Sequence, residues 1–176
     1  RRDFQVALKQ LRRLTPEGAF ELDIDQSIRK TTDNGGEIEL AFMRKRTNRI
    51  KLVLLMDSGG SMEPHARLVE ELFSVASEMK GFQSFEAWHF HNVPYGHLYK
   101  DYYSNDKSSI MDLLQEWTPK HRFVWVGDAS MAPYELFSTG WNDARSGLDW
   151  LKLIRRAAPY SIWLNPDPVR FWDHPT

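Results

Sequence analysis

The chain has 176 residues, which suits one medium-sized domain or one domain with a small extension. Its 23 basic and 24 acidic residues give a net charge of -1, which excludes strong charge-driven binding to nucleic acid or to a membrane surface. The absence of cysteine excludes disulfides, thiolate metal sites and cysteine catalysis, and it is consistent with the cytoplasmic location that we expect.

The first 48 residues predict a small α/β extension. Apolar residues recur at helical spacing over 4–14, and Thr15-Pro16 ends this short amphipathic helix. The elements predicted after it are a strand over 20–24, a polar helix over 25–34 closed by Gly35-Gly36, and an alternating strand-like run over 37–42. The basic segment 44–49 is interpreted as a solvated connector.

Strands and helices alternate after this segment. Residues 50–56 are almost all apolar, as expected of a strand buried on both faces. The later predictions are a helix over 64–80, a strand over 85–90, a small strand within 97–103, a short helix over 110–117, a strand over 123–126, a helix around 148–154 and a strand over 160–164. This alternation predicts an α/β domain over 49–176, with a mainly parallel sheet and helices on both faces.

The chain has no apolar run near the roughly 20 residues that cross a bilayer, and it shows no signal peptide. We therefore expect no membrane partner. The chain begins at Arg1 and stops at Thr176, soon after its last apolar strand. From this we expect a piece of a longer protein, with the second domain truncated at its C-terminus.

Carboxylate and hydroxyl side chains follow two of the predicted buried strands. Asp57 comes directly after 50–56, Ser61 stands four residues later on a glycine-rich loop, and Asp128 follows 123–126 after one glycine. Ligands collect at the carboxyl ends of parallel strands, so we expect these oxygens to converge. Such oxygens suit a hard cation: Mg²⁺, or alternatively Mn²⁺ or Ca²⁺.

Simpler roles remain open for these residues and for two nearby histidines. Asp57, Ser61 and Asp128 are all of types that cap helices, although capping leaves two carboxylates at one sheet edge unexplained. His89 and His91 share a strand face and carry nitrogens that bind transition metals. No third ligand is evident, so we assign His89 to sheet packing and leave open whether His91 lines the site.

The two acidic loops resemble known metal motifs. Asp57-Ser58-Gly59-Gly60-Ser61 resembles the Asp-x-Ser-x-Ser motif of the metal-ion-dependent adhesion site (MIDAS) in von Willebrand factor type A (VWA) domains, and Gly127-Asp128 resembles the third metal motif of that family. The loop departs from the motif at Gly59, where the family has a serine. Between Glu21 and Asn165 the chain is similar to the bacterial CoxE-like subgroup, through residues 33–37, the Asp57 loop and residues 90–92, 127–136 and 163–166.

This resemblance implies a Rossmann-like fold and a non-catalytic, cation-assisted surface for protein binding. The family's second metal motif, a threonine, would correspond to Ser108, with Ser109 as the alternative. Because Gly59 has no side-chain oxygen, we expect weaker cation affinity or a site with more waters. The implied partner is a MoxR-type AAA+ ATPase or its client, in the maturation of proteins or metalloenzymes, and it would supply an acidic residue to the cation.

Two other functions compete with this interpretation. A metal-dependent hydrolase would use the Asp57/Asp128 site with His91 as base, but no second acidic residue stands two positions after Asp57, and Ser61 lacks a Gly-x-Ser-x-Gly elbow. RNA binding rests on the aromatic residues and the basic segment 44–46, and the near-zero net charge argues against it. We therefore expect a binding module with no catalytic residues and no nucleic-acid partner.

Overall fold

A computed structural model describes residues 2–10, 14–48, 50–79, 81–101, 103, 105–139 and 144–172. The chain divides into two compact units. The smaller is Arg12–Arg49, and the larger combines Arg1–Leu11 with Ile50–Thr176.

The smaller unit is a two-stranded antiparallel ribbon with one helix. Its elements are β1 (Leu14–Asp23), α2 (Ile24–Asp33) and β2 (Ala41–Asn48). Asp23 caps the helix, because its Oδ1 accepts a hydrogen bond of 2.9 Å from the Gln26 N–H. The buried Ser27 hydroxyl accepts a hydrogen bond from the N–H of Ala41 at 2.8 Å, which ties α2 to β2.

The prediction of a solvated connector over 44–49 is wrong for the residues that the structure describes. Residues up to Asn48 continue β2 and pair with β1, while Arg49 lies outside the described residues. The Arg44 guanidinium lies 4.9 Å from the centre of the Phe20 ring, and the Lys45 Nζ lies 3.0 Å from the Glu21 Oε1. These cross-strand pairs favour a strand where the charges alone suggested a loop.

The first helix of the chain, α1 (Arg2–Gln10), belongs to the larger unit. The sequence-based prediction places this helix in the extension over 1–48. In the structure, its Leu8 is buried in one apolar cluster with Leu54 and Leu72 of the larger unit. The helix predicted over 4–14 is also too long. It is described as far as Gln10, residues 11–13 lie outside the described residues, and Leu14 already begins β1.

A six-stranded sheet forms the centre of the larger unit. Its strands are β3 (Lys51–Asp57), β4 (Ser84–Phe90), β5 (His97–Tyr99), β6 (Lys107–Ser109), β7 (His121–Val126) and β8 (Ser161–Leu164), in the spatial order β6-β5-β4-β3-β7-β8. The four strands β4, β3, β7 and β8 are parallel, and β5 runs antiparallel to both of its neighbours. This arrangement confirms the predicted Rossmann-like α/β class with a mainly parallel sheet.

Helices cover both faces of this sheet. The helices that follow β3 in the chain are α3 (Ala66–Glu78), α4 (Ile110–Glu116), α5 (Pro133–Phe137) and α6 (Gly147–Ala157). The helix predicted over 64–80 begins later, since Gly60–His65 form a 3₁₀ helix that contains Pro64. The short elements β6 and α5 were not predicted, because three to five residues show no clear periodicity.

The strand β3 is buried on both faces, and its side chains alternate between two apolar clusters. Val53 and Leu55 pack with residues of α4 and α6, namely Ile110, Leu113, Trp150 and Ile154. Leu52, Leu54 and Met56 pack with residues of α1 and α3, namely Leu8, Leu72, Val75 and Ala76. This double burial explains the continuous apolar run and holds the carboxyl end of β3 in a fixed position. None of the helices in the described part of the chain is long and apolar enough to cross a bilayer.

Candidate metal centre

The carboxyl ends of β3 and β7 bring Asp57 and Asp128 to one edge of the sheet. The two strands are parallel neighbours, with Met56 paired to Val126. Asp57 is the last residue of β3, and Gly127-Asp128 follow β7 directly. Both carboxylates are largely shielded from solvent, with 4% of Asp57 and 9% of Asp128 exposed. The predicted juxtaposition of two acidic loops at this edge is therefore present.

One oxygen of the Asp57 carboxylate is held by backbone groups. Its Oδ1 accepts hydrogen bonds from the N–H groups of Gly59, at 2.8 Å, and Asn92, at 3.0 Å. Burial raises the pKa of Asp57, and the nearby negative charge of Asp128 raises it further, while these hydrogen bonds and His91 act in the opposite direction. Within the described residues the second oxygen, Oδ2, accepts no hydrogen bond, so it is available to a ligand.

The backbone around Asp128 is fixed from β8 and the loop after it. The Nδ2 of Asn165 donates to the Asp128 carbonyl oxygen at 2.7 Å, and the Nε1 of Trp163 donates to the Gly127 carbonyl oxygen at 2.8 Å. The Trp163 ring stacks on Trp125 at 5.4 Å between ring centres. The Asp128 Oδ1 accepts a hydrogen bond from the Ser130 N–H at 2.9 Å, which leaves Oδ2 without a hydrogen bond from any described residue.

The two serines of the Asp57 loop have different roles. The buried Ser58 hydroxyl donates to the carbonyl oxygen of Phe90 at 2.9 Å, so it stabilises the contact between the loop and β4. Ser61 is exposed in the first turn of the 3₁₀ helix, and its hydroxyl makes no hydrogen bond among the residues that the structure describes. Ser61, unlike Ser58, has a hydroxyl that is free to bind a ligand.

The structure does not bring Ser108 to these carboxylates. Ser108 lies in β6, and β5 and β4 separate that strand from β3. Strands lie about 4.8 Å apart, so the backbones of Ser108 and Asp57 are on the order of 14 Å from each other. The alternative residue, Ser109, caps α4 by accepting a hydrogen bond from the Met111 N–H. The strand β6 was not anticipated, and its pairing holds Ser108 at the sheet edge.

Neither His89, in β4, nor His91, just after β4, joins a cluster of metal-binding side chains among the described residues. The Nδ1 of His91 lies 3.1 Å from the carbonyl oxygen of Ser58. His89 is partly buried, its Nδ1 has no hydrogen-bond partner among the described residues, and burial lowers its pKa. Among the described residues, no group of three or more His, Cys, Asp or Glu side chains is gathered closely enough to hold a metal ion.

Asn92 lies in the segment 90–92 that carries the family resemblance, but the sequence predicts no role for it in the site. It lies two residues beyond the end of β4, the strand that pairs with β3. Its φ of 52° is left-handed, a conformation that Asn tolerates better than most residues. Its backbone N–H contacts Asp57, and its Nδ2 donates to the Oε1 of Glu135 at 2.7 Å. An Asn just past a strand that neighbours the Asp57 strand is the signal that indicates this position.

The fit to a cation rests on oxygen atoms alone. Asp57 and Asp128 each leave one carboxylate oxygen without a hydrogen bond from a described residue, and the Ser61 hydroxyl is also available. Hard cations such as Mg²⁺ take oxygen ligands and keep several waters, so two carboxylates and a hydroxyl suit them better than they suit Zn²⁺. A cation here would also offset the repulsion between the two carboxylates.

A cavity of about 610 Å³ borders the same loop. Asp57, Ser58 and Gly59 form one side of it, and most of the exposed wall is apolar, with Met56 and Phe73 among the lining residues. The carboxylate site therefore adjoins a recess that can receive an apolar side chain.

Part of the chain matches a known protein family. The family described as VWA domain containing CoxE-like protein matches residues 2–92, slightly more than half of the 176 residues. The matched region contains the Asp57 loop and Asn92, and it ends before Asp128. No curated protein and no solved structure matches the chain.

Proposed function

The chain belongs to the family of VWA domain containing CoxE-like proteins, and from that premise we propose that it is a divalent-cation-dependent protein-binding module. Asp57, Asp128 and Ser61 would hold the cation, which is Mg²⁺ or alternatively Mn²⁺ or Ca²⁺. When bound, the cation supplies the positive charge and the open coordination position that a carboxylate of the partner needs.

The observation that carries this proposal is the pair of buried carboxylates at the ends of two neighbouring parallel strands. Asp57 and Asp128 both carry an oxygen that no described residue occupies with a hydrogen bond. Without a cation, an acidic group from a partner would be a third carboxylate at this edge and would be repelled by the two already there. Binding of an acidic partner therefore requires a cation, which makes the interaction dependent on Mg²⁺ and sensitive to a chelator.

The surroundings of the site favour a protein partner. The helix α5 follows the Asp128 loop and carries Tyr134 and Phe137, which are 69% and 63% exposed. Tyr95 is also exposed, and its hydroxyl donates to the carbonyl oxygen of Glu135 in α5. Exposed aromatic residues beside a polar centre are enriched in protein interfaces. From the family resemblance, the partner that we propose is a MoxR-type AAA+ ATPase or a client of that ATPase.

The test is capture of the purified MoxR-type ATPase of the source organism by the immobilised chain, in Mg²⁺ and in a chelator. We expect capture in Mg²⁺ only, and loss of capture in Asp57→Ala and Asp128→Ala. Asp112→Ala is the matched control, because Asp112 is an exposed acid in the first turn of α4. Equal capture in both buffers would contradict the cation dependence, and no capture in either would contradict the choice of partner.

A further inference from the structure

The smaller unit, Arg12–Arg49, has almost no interior of its own. Among residues 19–45, for which the structure describes burial throughout, only Ser27 and Ala41 are buried, and neither is a large side chain. Units of fewer than about 40 residues usually need disulfides, a metal ion or association with another chain to be stable. The chain has no cysteine, and its described residues form no cluster of His, Cys, Asp or Glu that could hold a metal. Association remains as the source of stability.

Large apolar side chains cover one side of this unit. Leu22 and Phe42 lie directly opposite each other in the β1–β2 ribbon, so they share a face, and Phe20 lies on that face two residues before Leu22. Leu22 also lines a cavity of about 260 Å³ with side chains of α2 and of the segment before β2. The residues of this apolar face are between 47% and 84% exposed: Phe20, Leu22, Ile24, Ile28, Ile38, Leu40 and Phe42.

The size of the apolar face matches one side of a dimer interface. With about 200 Å² for the full surface of each large apolar residue, the apolar face exposes roughly 850 Å². A stable interface of standard size covers about 800 Å² on each partner. A contiguous exposed apolar surface of this size exceeds what most monomeric proteins carry and marks an interaction site.

The charges around the apolar face favour a second copy of the chain as the partner. Segment 12–49 has eight basic and seven acidic residues, so it has almost no net charge. Several of these charges are satisfied within the unit: Lys30 pairs with Glu39 at 2.8 Å, and Lys45 pairs with Glu21 at 3.0 Å. The unit therefore has no excess charge to select a strongly charged partner, and two copies can approach each other without net repulsion.

We propose that the apolar face is the contact surface between two copies of this chain, related by a two-fold axis. In such a dimer the same surface of each copy covers that of the other, so one apolar face supplies both sides of the interface. The dimer gives the smaller unit the apolar burial that it lacks alone. This inference does not depend on cation binding, so its test is made in a chelator.

The test is the mass of the purified chain in solution, measured by sedimentation velocity up to about 100 μM, because interfaces of this size bind with micromolar or tighter affinity. We expect a dimer. Ile38→Glu and Phe42→Glu each place a charge in the apolar face, and each should raise the dimer dissociation constant about thirtyfold or more. Val169→Glu is the matched control, because Val169 is 68% exposed in the larger unit, and it should leave the dimer unchanged.

A wild type that sediments as a single chain at about 100 μM would overturn the proposal. A dimer that persists unchanged in both glutamate variants would do the same. Ile38→Cys gives a second measurement that introduces no charge, and the chain has no other cysteine. Its reaction with a maleimide should slow as protein concentration rises, because the dimer covers position 38, whereas Val169→Cys should react at one rate. Equal behaviour of the two thiols would contradict the proposed interface.

Discussion

The pKa of Asp57 is raised mainly by its burial and further by the negative charge of Asp128. The two residues follow the ends of neighbouring parallel strands. Both side chains lie at the carboxyl edge of the sheet, where the apolar clusters on each face fix the strand ends. The metal-free fold thus holds two acidic groups in an arrangement that is unfavourable when both are ionised. A site that costs stability without its ligand is typical of a binding function.

The substitution Asp57→Asn is expected to stabilise the metal-free protein at neutral pH. The pKa of Asp57 is raised in the fold, so the folded state binds this proton more tightly than the unfolded chain, where the pKa is about 3.9. The contribution of Asp57 to the free energy of unfolding therefore falls as pH rises through the window between the unfolded and folded pKa values. Asp57→Asn does not have this loss. Its free energy of unfolding should therefore exceed that of the wild type by an amount that grows with pH and disappears near pH 4.

Urea unfolding of wild type and Asp57→Asn in a chelator, over a pH series, measures this difference. The comparison cancels the groups that the two proteins share. A variant that is less stable than the wild type at pH 7, or an advantage that increases on acidification, would contradict the stated environment of Asp57.

Addition of Mg²⁺ is expected to stabilise the wild type and to leave Asp128→Ala unchanged. Binding to the folded state alone raises the free energy of unfolding by about 1.4 kcal/mol at ten times the dissociation constant. Asp128→Ala removes one of the two carboxylates, and the gain should disappear. Urea unfolding at several Mg²⁺ concentrations measures it, with Asp112→Ala as a control that should behave like the wild type. Equal stabilisation of Asp128→Ala would show that the ion binds elsewhere.

The two serines of the Asp57 loop should respond in opposite ways to alanine. Ser58→Ala loses a buried hydrogen bond to Phe90, so the free energy of unfolding should fall by about 1 kcal/mol while Mn²⁺ affinity stays the same. Ser61→Ala removes an exposed hydroxyl, so affinity should fall while stability in a chelator stays within about 0.5 kcal/mol of the wild type. Unfolding and Mn²⁺ titration of the two variants provide the measurements. If Ser58→Ala weakened Mn²⁺ binding and Ser61→Ala lowered the free energy of unfolding, the roles assigned to the two serines would be wrong.

Trp163→Phe is expected to weaken cation binding without direct contact with the ion. The variant keeps an aromatic ring to stack on Trp125 but loses the hydrogen bond to the Gly127 carbonyl oxygen, next to Asp128. We expect a loss of about 1 kcal/mol in the free energy of unfolding. The Mn²⁺ dissociation constant should increase, whereas Ser58→Ala, with a similar loss of stability, should leave it unchanged. Unchanged Mn²⁺ affinity in Trp163→Phe would mean that Trp163 does not position the Asp128 loop.

The sheet and the position of its two acidic loops could be predicted because they depend on short-range patterns. The continuous apolar run before Asp57 indicates a strand buried on both faces, and the structure shows its side chains divided between two clusters. A parallel sheet then brings Asp57 and Asp128 to one edge. The segment 44–48 was misassigned because its strand depends on cross-strand pairing with β1, which local composition does not indicate.

The details of the site depend on contacts between distant parts of the chain. The separation of Ser108 from Asp57 follows from a three-residue strand that has too few residues for a recognisable pattern. Asn92 donates hydrogen bonds to Asp57 and Glu135, which lie 35 and 43 residues away from it in the sequence. No spacing rule within one loop identifies a hydrogen bond that arrives from another loop.

The central claim is that Asp57 and Asp128 share a divalent cation at the carboxyl edge of the sheet. Crystals grown with Mn²⁺, with data collected near the manganese absorption edge, test this most directly. We predict one anomalous difference peak within about 2.5 Å of oxygens from Asp57 and Asp128. A map without a peak at this edge, at a Mn²⁺ concentration well above physiological levels, would contradict the account.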